Sequence, residues 1–236
     1  GAARSLQDAL CFRVAAPVMG SARAALDHAV AMLELEVNSA TTSPIVLAAD
    51  DAILSSPNFH GAALPLALDG AAQALAHAAQ AAGLRIAKLM TARFSGLPAY
   101  LSPVGGRSAG YVSLQKTTAD LLGEIRTNAI PAGMEVLAVS DAVEDMAPMT
   151  PHALRRLDRL AVPYRWLVAI EALAAAQAVG LRDLSPLGAG TAPLHAAIRA
   201  RVPPLAGDRE PGLDATAVAE VLDGLDATTP LPGGGH

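Results

Sequence analysis

Apolar residues recur at helical spacing along much of the chain. Between residues 19 and 35 they follow one another at intervals of three or four positions, which predicts an amphipathic helix. Residues 64–90 carry alanine at most positions and are apolar nearly all round, so we expect this helix to lie inside a bundle. The pattern predicts further helices over residues 108–128, capped by Ser108, and over 152–179, with shorter ones at 192–201 and 215–225.

Polar and turn-forming stretches separate these helices. Residues 38–44 break the first periodic pattern, and the apolar run at 45–49 predicts a strand or an extended loop. Residues 96–106 form a loop rich in glycine and proline, and residues 131–141 are irregular before helix resumes near Val143 and is interrupted near Pro148. Long loops inside a compact helical protein are usually functional.

Composition supports an all-α protein. A chain of 236 residues, 52% of them hydrophobic, can bury one substantial core, and with three Phe, three Tyr and one Trp that core must be aliphatic. We predict a helical core domain with active-site loops at residues 1–180, a small carboxy-terminal helical extension at 181–228, and a disordered tail at 229–236.

Charge and cysteine content exclude several classes of function. A net charge of −5 without basic clusters argues against nucleic acid or a membrane as a partner. The apolar stretch at 166–179 is too short to span a bilayer and carries Glu171. One cysteine and no amino-terminal signal sequence lead us to expect a cytoplasmic protein. The histidines lack metal-ligand spacing, so no metal site is expected.

Three segments carry a family pattern when they are taken together. They are Gln7-Asp8-Ala9-Leu10-Cys11-Phe12-Arg13, the polar run at 36–44, and Asn58-Phe59-His60-Gly61. In this combination they resemble the histidine/phenylalanine ammonia-lyase family. Further similar segments follow in the family's order at residues 95–101, 108–119, 143–146 and 202–209.

The resemblance implies a long central helical bundle of the fumarase/aspartase-like architecture and a chain that corresponds to the carboxy-terminal half of such an enzyme. The family's electrophile is a methylidene-imidazolone group made from an Ala-Ser-Gly tripeptide, which is absent from the 236 residues. Either the chain was cut from a longer precursor, or a separate amino-terminal-half polypeptide supplies this prosthetic group. Family active sites combine residues from several subunits, so we favour the separate partner and a hetero-oligomer.

The resemblance also assigns residues to a site. Arg13 matches the arginine that holds the substrate carboxylate, a task that suits a planar guanidinium. Gln7 matches a glutamine close to the electrophile, where its amide can donate and accept. Asn58 and Phe59 match a substrate-binding segment whose phenylalanine forms an aromatic wall, and Glu144 matches the position that meets the substrate side chain.

Two departures from the family bear on the reaction. Val143 replaces a family glutamine beside Glu144, so specificity for histidine does not carry over. Leu10 replaces a family tyrosine, and leucine has no proton to transfer. The resemblance implies a carbon–nitrogen lyase-like enzyme acting on an amino acid or a related amine with its partner. The alternatives are an amino shift or another non-eliminative reaction on the same scaffold, and a non-catalytic subunit that stabilises its partner.

Overall fold

The computed structural model describes residues 6–133 and 137–225, and these residues are mostly helical. The all-α class predicted from the sequence is confirmed. The helices of the described part are α1 (Leu10–Arg13), α2 (Ala15–Val37), α3 (Ala63–Leu89), α4 (Ala92–Ser95), α5 (Val112–Asn128), α6 (Thr150–Arg182), α7 (Ala192–Arg201) and α8 (Pro211–Asp223). None of the described helices is long and apolar enough to cross a membrane.

A small β-hairpin interrupts the helices after α2. Strand β1 (Ile45–Leu47) pairs antiparallel with β2 (Ala52–Leu54), with Val46 opposite Ile53. A short 3-10 turn, Ala48–Asp50, joins the strands and ends at Asp51, whose φ of 48° is left-handed. The apolar run at 45–49 is therefore a strand at its start, and the strand that follows it was not predicted.

The contacts between backbone segments divide the chain into two compact units. In its described part, the first unit comprises residues 6–14, 79–123 and 162–225, and the second comprises 15–78, 124–133 and 137–161. The domain boundary that we placed at residue 180 stays a prediction. The tail predicted at 229–236 lies outside the described residues.

The first unit packs α5, α6 and the end of α3 around an aliphatic core. Gly83 permits this close approach, because a Cβ at this position would lie 2.5 Å from Cδ1 of Leu122. Gln177 is one of the polar residues buried in this unit, with 2% of its surface exposed. Its side chain accepts a hydrogen bond from the Leu205 amide at 3.0 Å and donates to the Leu101 carbonyl at 3.4 Å, which ties the carboxy-terminal segment to α6.

The second unit has a core of small residues in which helices pack closely. Ala29 of α2 and Ala153 of α6 are buried there with four residues of α3, namely Leu64, Ala67, Leu68 and Ala71. Asp69 of α3 is buried as well and accepts hydrogen bonds from the backbone amides of Ala132 and Gly133. This carboxylate fixes the chain where it leaves α5 and begins the long irregular stretch.

Helix α3 is buried along most of its surface, in agreement with its apolar sequence. One narrow stripe of it stays exposed, at positions 66, 70, 73, 77, 80 and 84. The stripe holds the two glutamines and the histidine of the helix, whereas the polar residue Asp69 is buried on another side.

Two sequence predictions about helix ends are wrong. Helix does not resume at Val143; it begins at Thr150, and Pro151 occupies the first turn, where a missing N–H has no cost. Ser108 does not cap α5, which begins at Val112; its hydroxyl donates to Asp208 instead. The carboxylate of Asp208 also accepts the amides of Ala109 and Gly110, both at 3.0 Å, so a distant residue holds this turn.

Candidate active site

Gln7 and Arg13 lie together at the start of the first unit. Arg13 is the last residue of the four-residue helix α1, and its Nη1 donates a hydrogen bond to Oε1 of Gln7. Both side chains are exposed. An exposed guanidinium that is oriented by an amide oxygen through one nitrogen can offer its other N–H donors to an anionic ligand.

A cavity of about 700 Å³ adjoins this segment within the first unit. That volume suits a small-molecule ligand or an inserted peptide side chain. Most of the wall is apolar, and the polar groups belong to Gln7, Asp8, Lys88, Ser95 and Arg182. The remaining lining residues are Ala9, Phe12, Leu89, Phe94, Leu97, Ala175, Ala178, Val179 and Leu184.

The two cationic side chains of the cavity wall already contact other groups of the chain. Nζ of Lys88 lies 4.0 Å from the ring centroid of Phe94, a cation–π contact, and Arg182 donates to the carbonyl of Ser95. These contacts hold the wall of the cavity in place. Sequence reasoning missed Lys88 and Arg182, because they lie on two helices that are far from Gln7 along the chain.

Sequence reasoning also missed an ion pair that contacts α1. Arg85 of α3 donates from Nε and Nη2 to the two carboxylate oxygens of Glu171 of α6, and its Nη1 donates to the Cys11 carbonyl at 3.2 Å. The Glu171 carboxylate raises the pKa of Arg85 above its ordinary value, against the opposing effect of burial. Burial and, less strongly, Glu171 raise the pKa of the neighbouring Tyr164. The signal in the sequence was Glu171 itself, an acid within an otherwise apolar stretch.

Leu10 presents an apolar surface at the family's tyrosine position. Its side chain is 62% exposed, and that of Phe12 on the same short helix is 40% exposed. Cys11 between them is buried. Helix α1 therefore combines a charged, oriented Arg13 with exposed apolar neighbours, an arrangement that suits contact with a ligand or another polypeptide.

Asn58 and Phe59 belong to the second unit, in a 3-10 turn (Asn58–His60) just before α3. Nδ2 of Asn58 donates to the carbonyl of Ala40 at 2.7 Å, which ties this turn to the loop after α2. The Phe59 side chain is 61% exposed. The segment thus presents an aromatic ring from a fixed backbone.

Glu144 also belongs to the second unit, and its side chain is exposed. It pairs with Val139 through two backbone hydrogen bonds of 3.0 and 3.3 Å. Ser140, Asp141 and Ala142 have positive φ between these positions, so the chain turns tightly just before Val143, where we had predicted that helix resumes. Of the predicted site residues, Gln7 and Arg13 are in contact; Asn58, Phe59 and Glu144 are placed within the second unit. No cluster of metal-ligating side chains occurs among the residues that the structure describes.

Comparison with known proteins connects these residues to a family. A family model described as aromatic amino acid lyase matches residues 1–200. The histidine ammonia-lyase of Symbiobacterium thermophilum is 37% identical over 216 residues, which cover 92% of the chain and 43% of that protein. The chain therefore spans less than half the length of this relative.

Solved structures support the same fold. Ergothionase from Treponema denticola, an ergothioneine-degrading enzyme, superimposes with a TM-score of 0.87 at 29% identity, covering 93% of this chain and 44% of that one. Tyrosine aminomutase from Streptomyces globisporus gives a TM-score of 0.85 at 30% identity, covering 94% and 43%. The fumarase-like all-α architecture predicted from the sequence is confirmed.

Proposed function

The chain belongs to the aromatic amino acid lyase family, and on this basis we propose that it forms the carboxylate-binding part of a two-component ammonia-lyase-like enzyme. The electrophile-bearing part is a separate amino-terminal-half polypeptide, and the two form a hetero-oligomer. The substrate is an amino acid or a related amine that carries a carboxylate. The observation that carries the proposal is the contact between Arg13 and Gln7, the two family site residues of the first unit.

Arg13 binds the substrate carboxylate through two parallel, charge-assisted hydrogen bonds. The bond from its Nη1 to Gln7 restricts rotation of the guanidinium and reduces the entropy that substrate binding would otherwise cost. The position of Arg13 at the carboxyl end of α1 keeps the cation where the helix dipole favours it. Lysine could supply the charge there, but not the two parallel N–H donors with which a planar guanidinium binds both carboxylate oxygens.

The methylidene-imidazolone group that the family implies would be supplied by the partner, and when present it provides an electrophilic carbon for the substrate amine. The residues of this chain fit the group in part. Gln7 offers an amide that can hydrogen-bond a ring carbonyl beside Arg13. Leu10 offers no proton donor or acceptor there, and we assign removal of the substrate proton to a group of the partner.

The residues of the second unit have separate roles in this proposal. Phe59 is an exposed aromatic wall and Glu144 an exposed acceptor for a polar group on the substrate side chain. Asn58 donates one N–H of Nδ2 to the Ala40 carbonyl, which leaves its carbonyl oxygen and the second N–H for a contact with substrate. With Val143 beside Glu144, we do not assign histidine as the substrate.

An amino shift is the second candidate reaction. The similarity to a tyrosine aminomutase, at 30% identity over 94% of the chain, favours it. Both reactions need the same carboxylate clamp, so Arg13 has the same role in each. They differ in whether ammonia and an unsaturated acid leave the site or a β-amino acid forms.

The test is a product assay on the purified two-chain complex with histidine, phenylalanine, tyrosine and ergothioneine. We expect Arg13→Lys to raise KM about ten- to a hundredfold for a turned-over substrate, the effect of losing a charge-assisted hydrogen bond. Arg23→Lys is the matched control. Arg23 is exposed, and its Nε lies 3.9 Å from Oδ2 of Asp27 in a weak ion pair on the surface of α2. A complex that turns over none of these substrates and binds none of them favours the non-catalytic scaffold. Equal KM values for both variants would refute the role of Arg13.

A further inference from the structure

Helix α1 cannot be held by its own hydrogen bonds. It has four residues, and no side chain caps its amino end at Ala9. A helix this short is far below the length that is stable in isolation, because the entropy lost in ordering its first turn exceeds the free energy gained from the few hydrogen bonds of that turn. Besides the covalent link through Val14 to α2, contacts between α1 and the rest of the first unit therefore contribute to the orientation of Arg13.

Two such contacts meet at Cys11. Its side chain is the buried one on α1, with 7% of its surface exposed, and its carbonyl accepts the hydrogen bond from Nη1 of Arg85. That carbonyl lies in the last turn of α1, where the helix itself leaves acceptors unpaired. A cation at this end also complements the helix dipole.

Glu171 fixes the direction of the Arg85 guanidinium. Its two oxygens take Nε and Nη2, the latter at 3.0 Å, so that Nη1 is left pointing at Cys11. The two side chains are only 13% and 23% exposed, so solvent screens the pair less than it screens a surface pair. Three bonds from one rigid, planar group thus connect α3, α6 and α1.

We propose that Arg85, oriented by Glu171, is a positioning residue that holds α1 so that Arg13 and Gln7 face the substrate. This rests on the proposed function for its catalytic meaning, whereas the anchoring of α1 stands on geometry alone. Lysine at position 85 keeps the charge, but its three N–H donors share one nitrogen and cannot reproduce the planar spacing by which the guanidinium serves both Glu171 oxygens and the Cys11 carbonyl. Glu171→Gln keeps an acceptor but loses the charge and one acceptor oxygen.

Cys11 supplies the first readout, because it is the single cysteine of the chain and sits on the anchored helix. Release of α1 exposes its thiol, so its rate of alkylation by iodoacetamide measures opening of the helix. We expect Arg85→Lys and Glu171→Gln each to accelerate labelling by about tenfold or more, the effect of losing one charged hydrogen bond. Arg165→Lys is the matched control: Arg165 makes a similar two-pronged pair with Asp223 in the same unit, but an exposed one.

The labelling experiment is run with and without low concentrations of urea. Local release of α1 is insensitive to urea, since little surface is exposed, whereas labelling through global unfolding rises steeply with it. Faster, urea-insensitive labelling in the two variants supports the proposal. Labelling that is unchanged, or that accelerates only through the urea-sensitive route, overturns it.

The second readout is the split between KM and kcat in the active complex. A displaced Arg13 weakens carboxylate binding, so Arg85→Lys should raise KM about tenfold while kcat changes less than twofold. A merely destabilised protein would instead lose active sites, which lowers apparent kcat at unchanged KM, and that result would overturn the positioning role. Because labelling needs no substrate, failure of the proposed lyase function would leave the first readout intact.

Discussion

Asp69 is the side chain whose removal should change the second unit most clearly. It is 5% exposed, and its oxygens accept the Ala132 amide at 3.0 and 3.1 Å and the Gly133 amide at 2.8 Å. In Asp69→Ala both amides lose their acceptor, that of Ala132 in a buried place and that of Gly133 in a partly buried one. Each unpaired donor costs about 1–3 kcal/mol, and relief of the buried carboxylate offsets part of this, which leaves a loss of roughly 2–4 kcal/mol.

Hydrogen exchange measures this loss at the amides themselves. We expect the exchange of Ala132 and Gly133 to accelerate in Asp69→Ala, together with a lower melting temperature of the protein. Asp27→Ala is the control, because Asp27 is exposed and its effect should stay within about 0.5 kcal/mol. Unchanged protection of both amides in Asp69→Ala, or an equal loss in the control, would refute the reasoning.

Two further variants test other parts of the account. The Ser108 hydroxyl and the Ala109 and Gly110 amides lower the pKa of Asp208, so its stabilisation is complete above the unfolded pKa, about 3.9, and is lost as pH falls through the lower folded pKa. The melting-temperature difference between wild type and Asp208→Asn should therefore shrink in acid, and a difference that is constant from pH 7 to 3 would contradict this. Leu10→Tyr should not raise ammonia release from histidine, phenylalanine or tyrosine in the two-chain complex, because the pocket suits a different substrate; a large gain for any of the three would contradict that view.

The sequence was sufficient for the long helices because their signal is local. The helix predicted over residues 19–35 lies within α2. The helix predicted over 64–90 lies within α3 except for Met90, and α7 has the predicted ends. The periodicity predicts that these segments are helical but not which positions are buried: α3 is buried along most of its surface, whereas α2 buries Ala22 and Ala29 and leaves Leu26, Val30 and Leu33 exposed. Family resemblance then supplied the architecture, which periodicity alone does not determine.

Errors occurred where a distant residue decides the local structure. Ser108 has the sequence of a helix cap, yet Asp208, one hundred positions away, binds its hydroxyl and moves the start of α5 to Val112. Glu144 was placed on a helix because its neighbours favour one, whereas positive φ values before it form a tight turn. Arg85 was overlooked because its partner Glu171 lies 86 positions away along the chain, and Lys88 because its contact with the Phe94 ring depends on packing rather than on a sequence pattern.

The central claim is that this chain completes an active site whose electrophile resides on another polypeptide, and reconstitution tests it most directly. The chain and the electrophile-bearing half are purified separately and then mixed with an amino acid substrate. The account predicts no turnover by either alone and, on mixing, a defined hetero-oligomer that releases ammonia or forms a β-amino acid, with a raised KM in Arg13→Lys. A chain that is active alone, or two halves that neither associate nor turn over substrate when mixed, would contradict it.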